Sequence, residues 1–159
     1  MRWPWGKPRP REHIYSADTP CGVTEYFHQN NPRGQIFNPQ WWGDWLVWDG
    51  PEGIQVFVTT NTLHVVPPRV WRDYLAISEA APGFEPLLDK YRINTIVVCK
   101  ALQYSLHRKA TQLEGWHTAY EDDISLVVAR DGTLPREATR SSDSPAENGG
   151  RVSKIGAEQ

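Results

Sequence analysis

A continuous apolar run near the middle of the chain constrains the fold more than any other feature. The four residues at 96–99 are all apolar, and they close a strand pattern that covers 94–99. Such a run is typical of a strand buried on both faces, as in parallel sheets that helices cover. The longest apolar runs have four residues, whereas a membrane-spanning helix needs about 20. The sequence therefore predicts a soluble chain with a buried central strand.

Helix and strand patterns alternate on both sides of this run. Apolar residues recur at helical spacing in five segments, at 20–29, 41–48, 67–81, 84–91 and 102–113. Further strand patterns cover 35–38, 54–59, 116–120 and 124–130, the last two as a hairpin around an acidic turn. This order predicts an α/β, three-layer-like domain with a mixed, mainly parallel sheet of about five strands and a C-terminal antiparallel hairpin.

The two ends of the chain differ in composition from its middle. Residues 1–17 form a basic arm rich in Trp and Pro, and residues 132–159 are polar with few large aliphatic side chains. We expect the tail at 132–159 to be disordered, because it buries too little apolar surface to offset the entropy lost on ordering. A single α/β domain is therefore predicted over 18–131.

The basic arm is open to three interpretations. It is a disordered segment, an interfacial segment that places Trp3 and Trp5 at the headgroup level of a membrane, or an arm that contacts nucleic acid. The whole chain has 17 Lys and Arg against 19 Asp and Glu, a formal net charge of -2. Because no overall positive field attracts nucleic acid, we predict no nucleic-acid partner.

Sequence signatures of the common catalytic and cofactor sites are absent. No Gly-x-Gly-x-x-Gly or Gly-Lys-Ser/Thr motif follows a strand pattern, no serine stands in a Gly-flanked elbow, and no histidine pair has zinc spacing. The acidic run at 121–123 lacks the spaced ligands of a calcium loop and is interpreted as a hairpin turn. Cys21 and Cys99 are expected to be buried thiols, with their pairing left open. We predict no catalytic residues, no cofactor and no metal site for this chain alone.

Tryptophan is the unusual residue of this composition. Four of the eight tryptophans lie within 41–48, and Trp41, Trp45 and Trp48 share one face if this segment is helical. Asp44 lies among them, and a carboxylate between indoles is the composition of a carbohydrate platform, where sugar rings stack on indole faces. The competing interpretation is that the same face packs into the core. The first candidate binding residues are accordingly Trp41, Trp42, Asp44 and Trp45.

Polar residues after a strand pattern give a second candidate set. Ligands commonly bind at the carboxyl ends of strands in open α/β sheets, and the pattern at 54–59 leads into hydrogen-bonding side chains. The candidate binding residues there are Thr59, Thr60, Asn61 and His64. His64 is the one acid or base among them, so an enzymatic alternative pairs His64 with Asp44 in a small hydrolase or transferase.

The order of several short segments carries a resemblance to a known family. They include Trp42-Gly43-Asp44-Trp45 and Trp71-Arg72-Asp73-Tyr74, and the full set covers 19–20, 31–32, 34–38, 42–48, 56–58, 71–74, 88–94, 115–122 and 127–130. Over 18–131 the chain resembles the soluble C-terminal domain that follows the multispan region of bacterial membrane proteins of the glycosyltransferase-like type. These proteins are mannosyltransferase-like or oligosaccharyltransferase-like.

This resemblance implies a noncatalytic accessory domain that presents a glycan or an acceptor. In that family the transferase chemistry belongs to acidic residues between membrane helices, a region this sequence does not contain. The implied partners are a membrane-embedded glycosyltransferase region or membrane surface, and a glycan. The implied location is the extracytoplasmic side of the membrane, and otherwise we expect a soluble cytoplasmic protein. The family often has Asp-x-Arg where this chain has Thr59, Thr60 and Asn61, which weakens a charged-ligand role there.

Three hypotheses of function follow from these patterns. The first is the noncatalytic accessory domain, and the second is a free-standing carbohydrate-binding module that uses 41–48. Tryptophan fluorescence that stays unchanged across a broad glycan panel would contradict the second. The third is a small hydrolase or transferase, which requires the side chains of His64 and Asp44 to converge in a cleft.

Overall fold

The strand predicted from the apolar run is the middle strand of a five-stranded sheet. The computed structural model describes residues 16–62 and 65–136. Its strands, in chain order, are β1 (Gln35–Phe37), β2 (Gln55–Val56), β3 (Ile93–Cys99), β4 (Trp116–Glu121) and β5 (Ser125–Arg130). They lie in the spatial order β2-β1-β3-β5-β4. The apolar run at 96–99 is therefore flanked by two strands on each side.

The pairing of these strands is mixed. β1 runs parallel to β2 and to β3, whereas β5 runs antiparallel to both β3 and β4. The parallel pairs match two and three positions, and each antiparallel pair matches five. The predicted α/β domain with a mixed sheet and a C-terminal hairpin is confirmed, but a mainly parallel, three-layer-like sheet is not. The hairpin strand β5 pairs along the central strand, so most paired positions are antiparallel.

Five helices connect and follow these strands. They are α1 (Cys21–Gln29), α2 (Gln40–Asp49), α3 (Pro68–Ser78), α4 (Glu85–Lys90) and α5 (Tyr104–Ala110). Proline precedes or opens the first turn of α1, α2, α3 and α4, where its missing N–H removes no helical hydrogen bond. Helix α5 is shorter than the predicted 102–113. Leu102 lies in the turn before it and is 70% exposed, so it does not occupy the buried helix position that the pattern predicted.

The second strand is much shorter than the predicted 54–59. The side chain of Asn38 accepts hydrogen bonds from the backbone N–H groups of Phe57 and Val58 and donates one to the carbonyl oxygen of Val58. The backbone of Val58 is therefore paired with a buried side chain, whereas the N–H of Phe57 is shared between that side chain and the carbonyl oxygen of Ile36 on β1. Asn38 thus takes over from β1 as the partner of this backbone, and β2 ends at Val56.

Two clusters of buried side chains pack against alternate residues of β3. Ile96 and Val98 belong to the first cluster, whereas Val97 and Cys99 belong to the second, as expected for residues that alternate across a strand. Helices α3, α4 and α5 contribute to the first cluster through Tyr74, Ile77, Leu88, Leu106 and Ala110. Helices α1 and α2 contribute to the second through Val23, Phe27, Trp42 and Leu46.

The packed part of the chain runs past the predicted domain boundary at 131. Leu134 is buried in the second cluster. The buried ring of His117 connects this segment to β4, because its two nitrogens lie 2.8 Å from Oδ1 of Asp131 and 3.0 Å from the carbonyl oxygen of Leu134. Most of the arm at 1–17 and of the tail at 132–159 lies outside the described residues.

Two further expectations from the sequence concern the cysteines and membrane-spanning helices. No disulfide joins Cys21 and Cys99; Cys99 is buried at the end of β3 as expected, whereas Cys21 is only half-buried. None of the helices formed within 16–62 and 65–136 combines the length and the apolar character needed to cross a membrane.

Candidate functional site

Helix α2 is held close to the sheet by a glycine. A Cβ atom on Gly43 would lie 2.0 Å from the carbonyl oxygen of Val58, so only glycine permits this approach. The hydroxyl of Tyr74 accepts a hydrogen bond of 2.9 Å from the backbone N–H of Gln40, which satisfies one donor at the start of the helix. The buried side of α2 is completed by Trp42 and Leu46.

The opposite side of α2 presents indoles to solvent. Trp41 is 47% exposed and Trp48 is 69% exposed. Between them Asp44 is exposed and Trp45 is half-buried, and the rings of Trp45 and Trp48 are tilted against each other with centroids 5.1 Å apart. Residues at this spacing share one helix face. We call this set the tryptophan stripe; it comprises Trp41, Asp44, Trp45 and Trp48.

The exposure of Trp41 and Trp48 shows that the tryptophan face of α2 points toward solvent. The interpretation in which Trp41, Trp45 and Trp48 form a face packed into the core is wrong for Trp41 and Trp48, which are exposed, whereas Trp45 is half-buried. The physical reason is that the narrow side containing Gly43 is the one that fits against the backbone of Val58. A helix placed by that contact turns Trp41 and Trp48 outward, while Trp42 and Leu46 lie on its buried side.

Trp42 has a different role from the stripe. Its side chain is 3% exposed, and its indole N–H donates a hydrogen bond of 2.9 Å to the carbonyl oxygen of Asp18. The ring is therefore fixed within the second cluster and is not a free platform for a sugar. Of the first four candidates, Trp41, Asp44 and Trp45 lie on the stripe and Trp42 lies beneath it.

An apolar cavity lies where β1 and β3 end. It has a volume of about 290 Å³, and its walls include Trp41 and Trp42 after β1 and Cys99 and Leu102 at the end of β3. The helices that follow these two adjacent parallel strands pack in different clusters, α2 in the second and α5 in the first. Adjacent strands whose connections leave toward opposite faces form a topological switch point, the usual ligand crevice of open α/β sheets.

The polar segment after β2 lies beside α2 but does not line this cavity. Its backbone is placed against Gly43 at Val58 and Thr59. The N–H of Thr59 donates to the hydroxyl of Thr62, and the side-chain amide of Gln40 donates to the carbonyl oxygen of Thr60. Thr60 and Asn61 are exposed. His64 lies outside the described residues, so the predicted pairing of His64 with Asp44 stays a prediction.

Sequence reasoning missed most of the cavity wall. Cys99 was expected only as a core residue, and Leu102 only as a helix position. The signal that identifies them is their position at the carboxyl end of the central strand and just after it, but this position indicates a cavity only once the strand order is known. Asn38 was likewise missed, and its side-chain hydrogen bonds to Phe57 and Val58 make it a structural residue rather than a ligand-binding one.

Burial raises the pKa of Tyr74, whose hydroxyl meets the start of α2, and three other groups with shifted pKa values lie between α3 and α4. Lys90 and Tyr91 both donate hydrogen bonds to Oδ2 of Asp73, at 2.5 Å and 2.6 Å. The hydrogen bond from Lys90, and then that from Tyr91, holds the pKa of Asp73 below its ordinary value. Burial, assisted by Asp73, raises the pKa of Tyr91. None of the three lines the cavity, and we interpret them as a link between two helices.

The acidic run at 121–123 forms the hairpin turn that the sequence predicted. Oδ1 of Asp122 accepts hydrogen bonds from the N–H of Ile124 and from both the N–H and the hydroxyl of Ser125. Its other oxygen accepts the hydroxyl of Tyr120. Within 16–62 and 65–136, no three His, Cys, Asp or Glu side chains are arranged to hold a metal ion.

Comparison with known proteins adds no relative. The chain matches no family model, no curated protein and no solved structure. Any function must therefore be argued from the stripe and the cavity themselves.

Proposed function

We propose that this domain is a noncatalytic carbohydrate-binding domain and that the tryptophan stripe is its sugar-binding surface. The observation that carries the proposal is the exposure of Trp41 and Trp48 at 47% and 69% on one face of α2. Large aromatic side chains grouped on a surface are typical of interaction sites. The electron-rich face of an indole attracts the C–H groups on the face of a sugar ring.

The carboxylate of Asp44 complements these indoles. It is exposed and lies one turn from both Trp41 and Trp48. A carboxylate accepts hydrogen bonds from sugar hydroxyls, and such charge-assisted bonds are stronger than neutral ones. Trp41 and Trp48 are separated by seven residue steps along the helix, about 10 Å at 1.5 Å per step. This length is greater than that of one sugar ring and suits an oligosaccharide.

A binding role without catalysis agrees with the chemistry of the neighbouring cavity. Its walls are mainly apolar, and among the residues that the structure describes Asp18 is the one charged residue that lines it. General acid–base chemistry needs positioned groups of suitable pKa, commonly as a pair. The hydrolase or transferase hypothesis requires His64, and no observation on the described residues favours it.

The resemblance in segment order also suggests which larger protein such a domain would serve. In this proposal the domain is an accessory to a membrane-embedded glycosyltransferase region. It lies on the extracytoplasmic side of the membrane and presents a glycan or acceptor to that region. A free-standing carbohydrate-binding module is the alternative. Both settings use the same sugar-binding stripe, so the binding experiment comes first.

The experiment is a titration of the protein with a panel of oligosaccharides, followed by intrinsic tryptophan fluorescence and by calorimetry. We expect at least one glycan to bind, Trp48→Ala and Trp41→Ala each to weaken it about tenfold or more, and Asp44→Asn to weaken it by a similar factor. Val47→Ala is the matched control, because Val47 is on the same helix and 53% exposed but off the stripe.

Two results would contradict the proposal. One is the absence of binding across the panel while far-ultraviolet circular dichroism shows a folded protein. The other is glycan binding that Trp41→Ala, Trp48→Ala and Asp44→Asn leave unchanged.

A further inference from the structure

Trp41 belongs both to the tryptophan stripe and to the apolar cavity. Its indole lines the cavity wall, and its 47% exposure places it on the outer surface of α2 as well. Leu102 also lines the cavity and is 70% exposed. A ligand on the stripe therefore lies directly beside the entrance of the cavity.

Apart from the carboxylate of Asp18, which is exposed, several hydrogen-bonding groups of the cavity wall are already paired within the domain. The indole N–H of Trp42 is paired with the carbonyl oxygen of Asp18. The backbone N–H of Cys99 donates to Oε1 of Gln103, and that of Ile124 donates to Asp122. The thiol of Cys99 behaves as a small hydrophobe. The cavity is consequently suited to an apolar group and poorly suited to a sugar ring, which would lose its hydrogen bonds to water.

The size of the cavity limits what enters it. Its volume of about 290 Å³ lies just below the range of about 300–1,000 Å³ for sites that hold a whole drug-sized ligand. We infer that the cavity holds a short apolar aglycone of a glycoside whose sugar lies on the tryptophan stripe. This inference rests on the proposed function and adds to it the class of ligand, an alkyl or aryl glycoside.

The two surfaces together recognise both halves of such a molecule. The stripe supplies indole faces and the carboxylate of Asp44 for the sugar, and the cavity supplies aliphatic and aromatic carbon for the aglycone. Trp41 contacts the point where the two halves join. A free sugar uses only the stripe, so the aglycone increases affinity by the apolar area it buries.

The test compares the methyl and hexyl β-glycosides of glucose, galactose and mannose, with 1-hexanol as the apolar half alone. Binding is measured by calorimetry on the full chain. For a sugar that binds, we expect the hexyl glycoside to bind more tightly than the methyl glycoside by about fourfold for each methylene that enters the cavity.

Two variants test whether the higher affinity of the hexyl glycoside arises in the cavity. Leu102→Asp places a charge at the cavity entrance and is expected to reduce the affinity for the hexyl glycoside to that for the methyl glycoside. Leu75→Asp is the matched control, since Leu75 is an exposed leucine on α3, and it should retain the increment. Trp48→Ala should weaken the methyl and hexyl glycosides by the same factor.

The outcomes separate this inference from the proposed function. Equal affinities for methyl and hexyl glycosides, or an increment that Leu102→Asp leaves intact, overturn the inference while the sugar-binding stripe stands. If 1-hexanol binds while neither the methyl glycosides nor the oligosaccharide panel does, the sugar-binding stripe fails, and the inference fails with it.

Discussion

Gly43 shows how a single residue determines the surface that α2 presents. A Cβ atom at this position would lie 2.0 Å from the carbonyl oxygen of Val58 and 2.9 Å from the Cα of Thr59. Both are backbone atoms, which cannot move aside as the end of a flexible side chain does. The close contact therefore fixes which side of the helix is buried, and the stripe follows from it.

The substitution Gly43→Ala tests this close contact through the sign of the change in the free energy of unfolding. In an exposed helix the change from Gly to Ala stabilises by about 1 kcal/mol. Here we expect it to lower the free energy of unfolding by about 1–3 kcal/mol, as overpacking does in cores, and urea unfolding measures the change. Val47→Ala on the exposed side of α2 is the control. A stabilised Gly43→Ala protein would contradict the close approach.

Asn38 shows why the sequence alone misplaced the end of β2. The strand pattern continues to 59, and nothing local signals that the backbone of Phe57 and Val58 pairs with a side chain 19 and 20 residues earlier. A side chain can take the place of a neighbouring strand only where the tertiary fold brings it to the strand end, and a local sequence pattern does not contain that information. By contrast, prolines act locally, and the starts of α1 and α3 were predicted to within one residue.

At the level of elements, we expect the stability of the contact between α3 and α4 to depend on pH. The pKa of Asp73 is held below its ordinary value of 3.8, first by Lys90 and then by Tyr91. A carboxyl group with a lowered pKa in the folded state stabilises the protein above its unfolded pKa, and this contribution disappears as the pH falls through the folded pKa. We therefore expect wild type to exceed Asp73→Asn in unfolding free energy at neutral pH.

Urea unfolding at a series of acid pH values measures this difference. The advantage of wild type over Asp73→Asn should be constant above about 3.8 and shrink to nothing below the lowered pKa. Asp123→Asn, which alters an exposed carboxylate in the β4–β5 turn, is the control. A difference between wild type and Asp73→Asn that does not change with pH would show that the ion pair does not contribute in this way.

At the level of the whole molecule, the packed domain includes residues beyond 131. Leu134 is 7% exposed and packs in the second cluster. Leu134→Ala is expected to lower the free energy of unfolding by about 2–5 kcal/mol, as for other buried leucines. Thermal and urea unfolding measure it, with Leu102→Ala as an exposed control expected within about 0.5 kcal/mol of wild type. Equal stability of the two variants would contradict the packing of Leu134.

The site as a whole was only half predictable, for a topological reason. The spacing of Trp41, Trp45 and Trp48 predicted one helix face, but the direction of that face depended on Gly43 and the backbone it meets. The cavity depended on strand order, because β1 and β3 become neighbours only when β2 lies on the outer side of β1. Local patterns contain neither fact, so the residues at 99 and 102 could not be connected with 41.

The most direct test of the account follows each indole N–H during a glycan titration, by nuclear magnetic resonance of the ¹⁵N-labelled protein. Single Trp→Ala variants assign the signals. Sugar binding on the stripe should shift the signals of Trp41 and Trp48 and leave those of Trp71 and Trp116, which pack against the first cluster, in place. Shifts confined to Trp71 and Trp116, or no shift at either stripe indole with any glycan, would contradict the account.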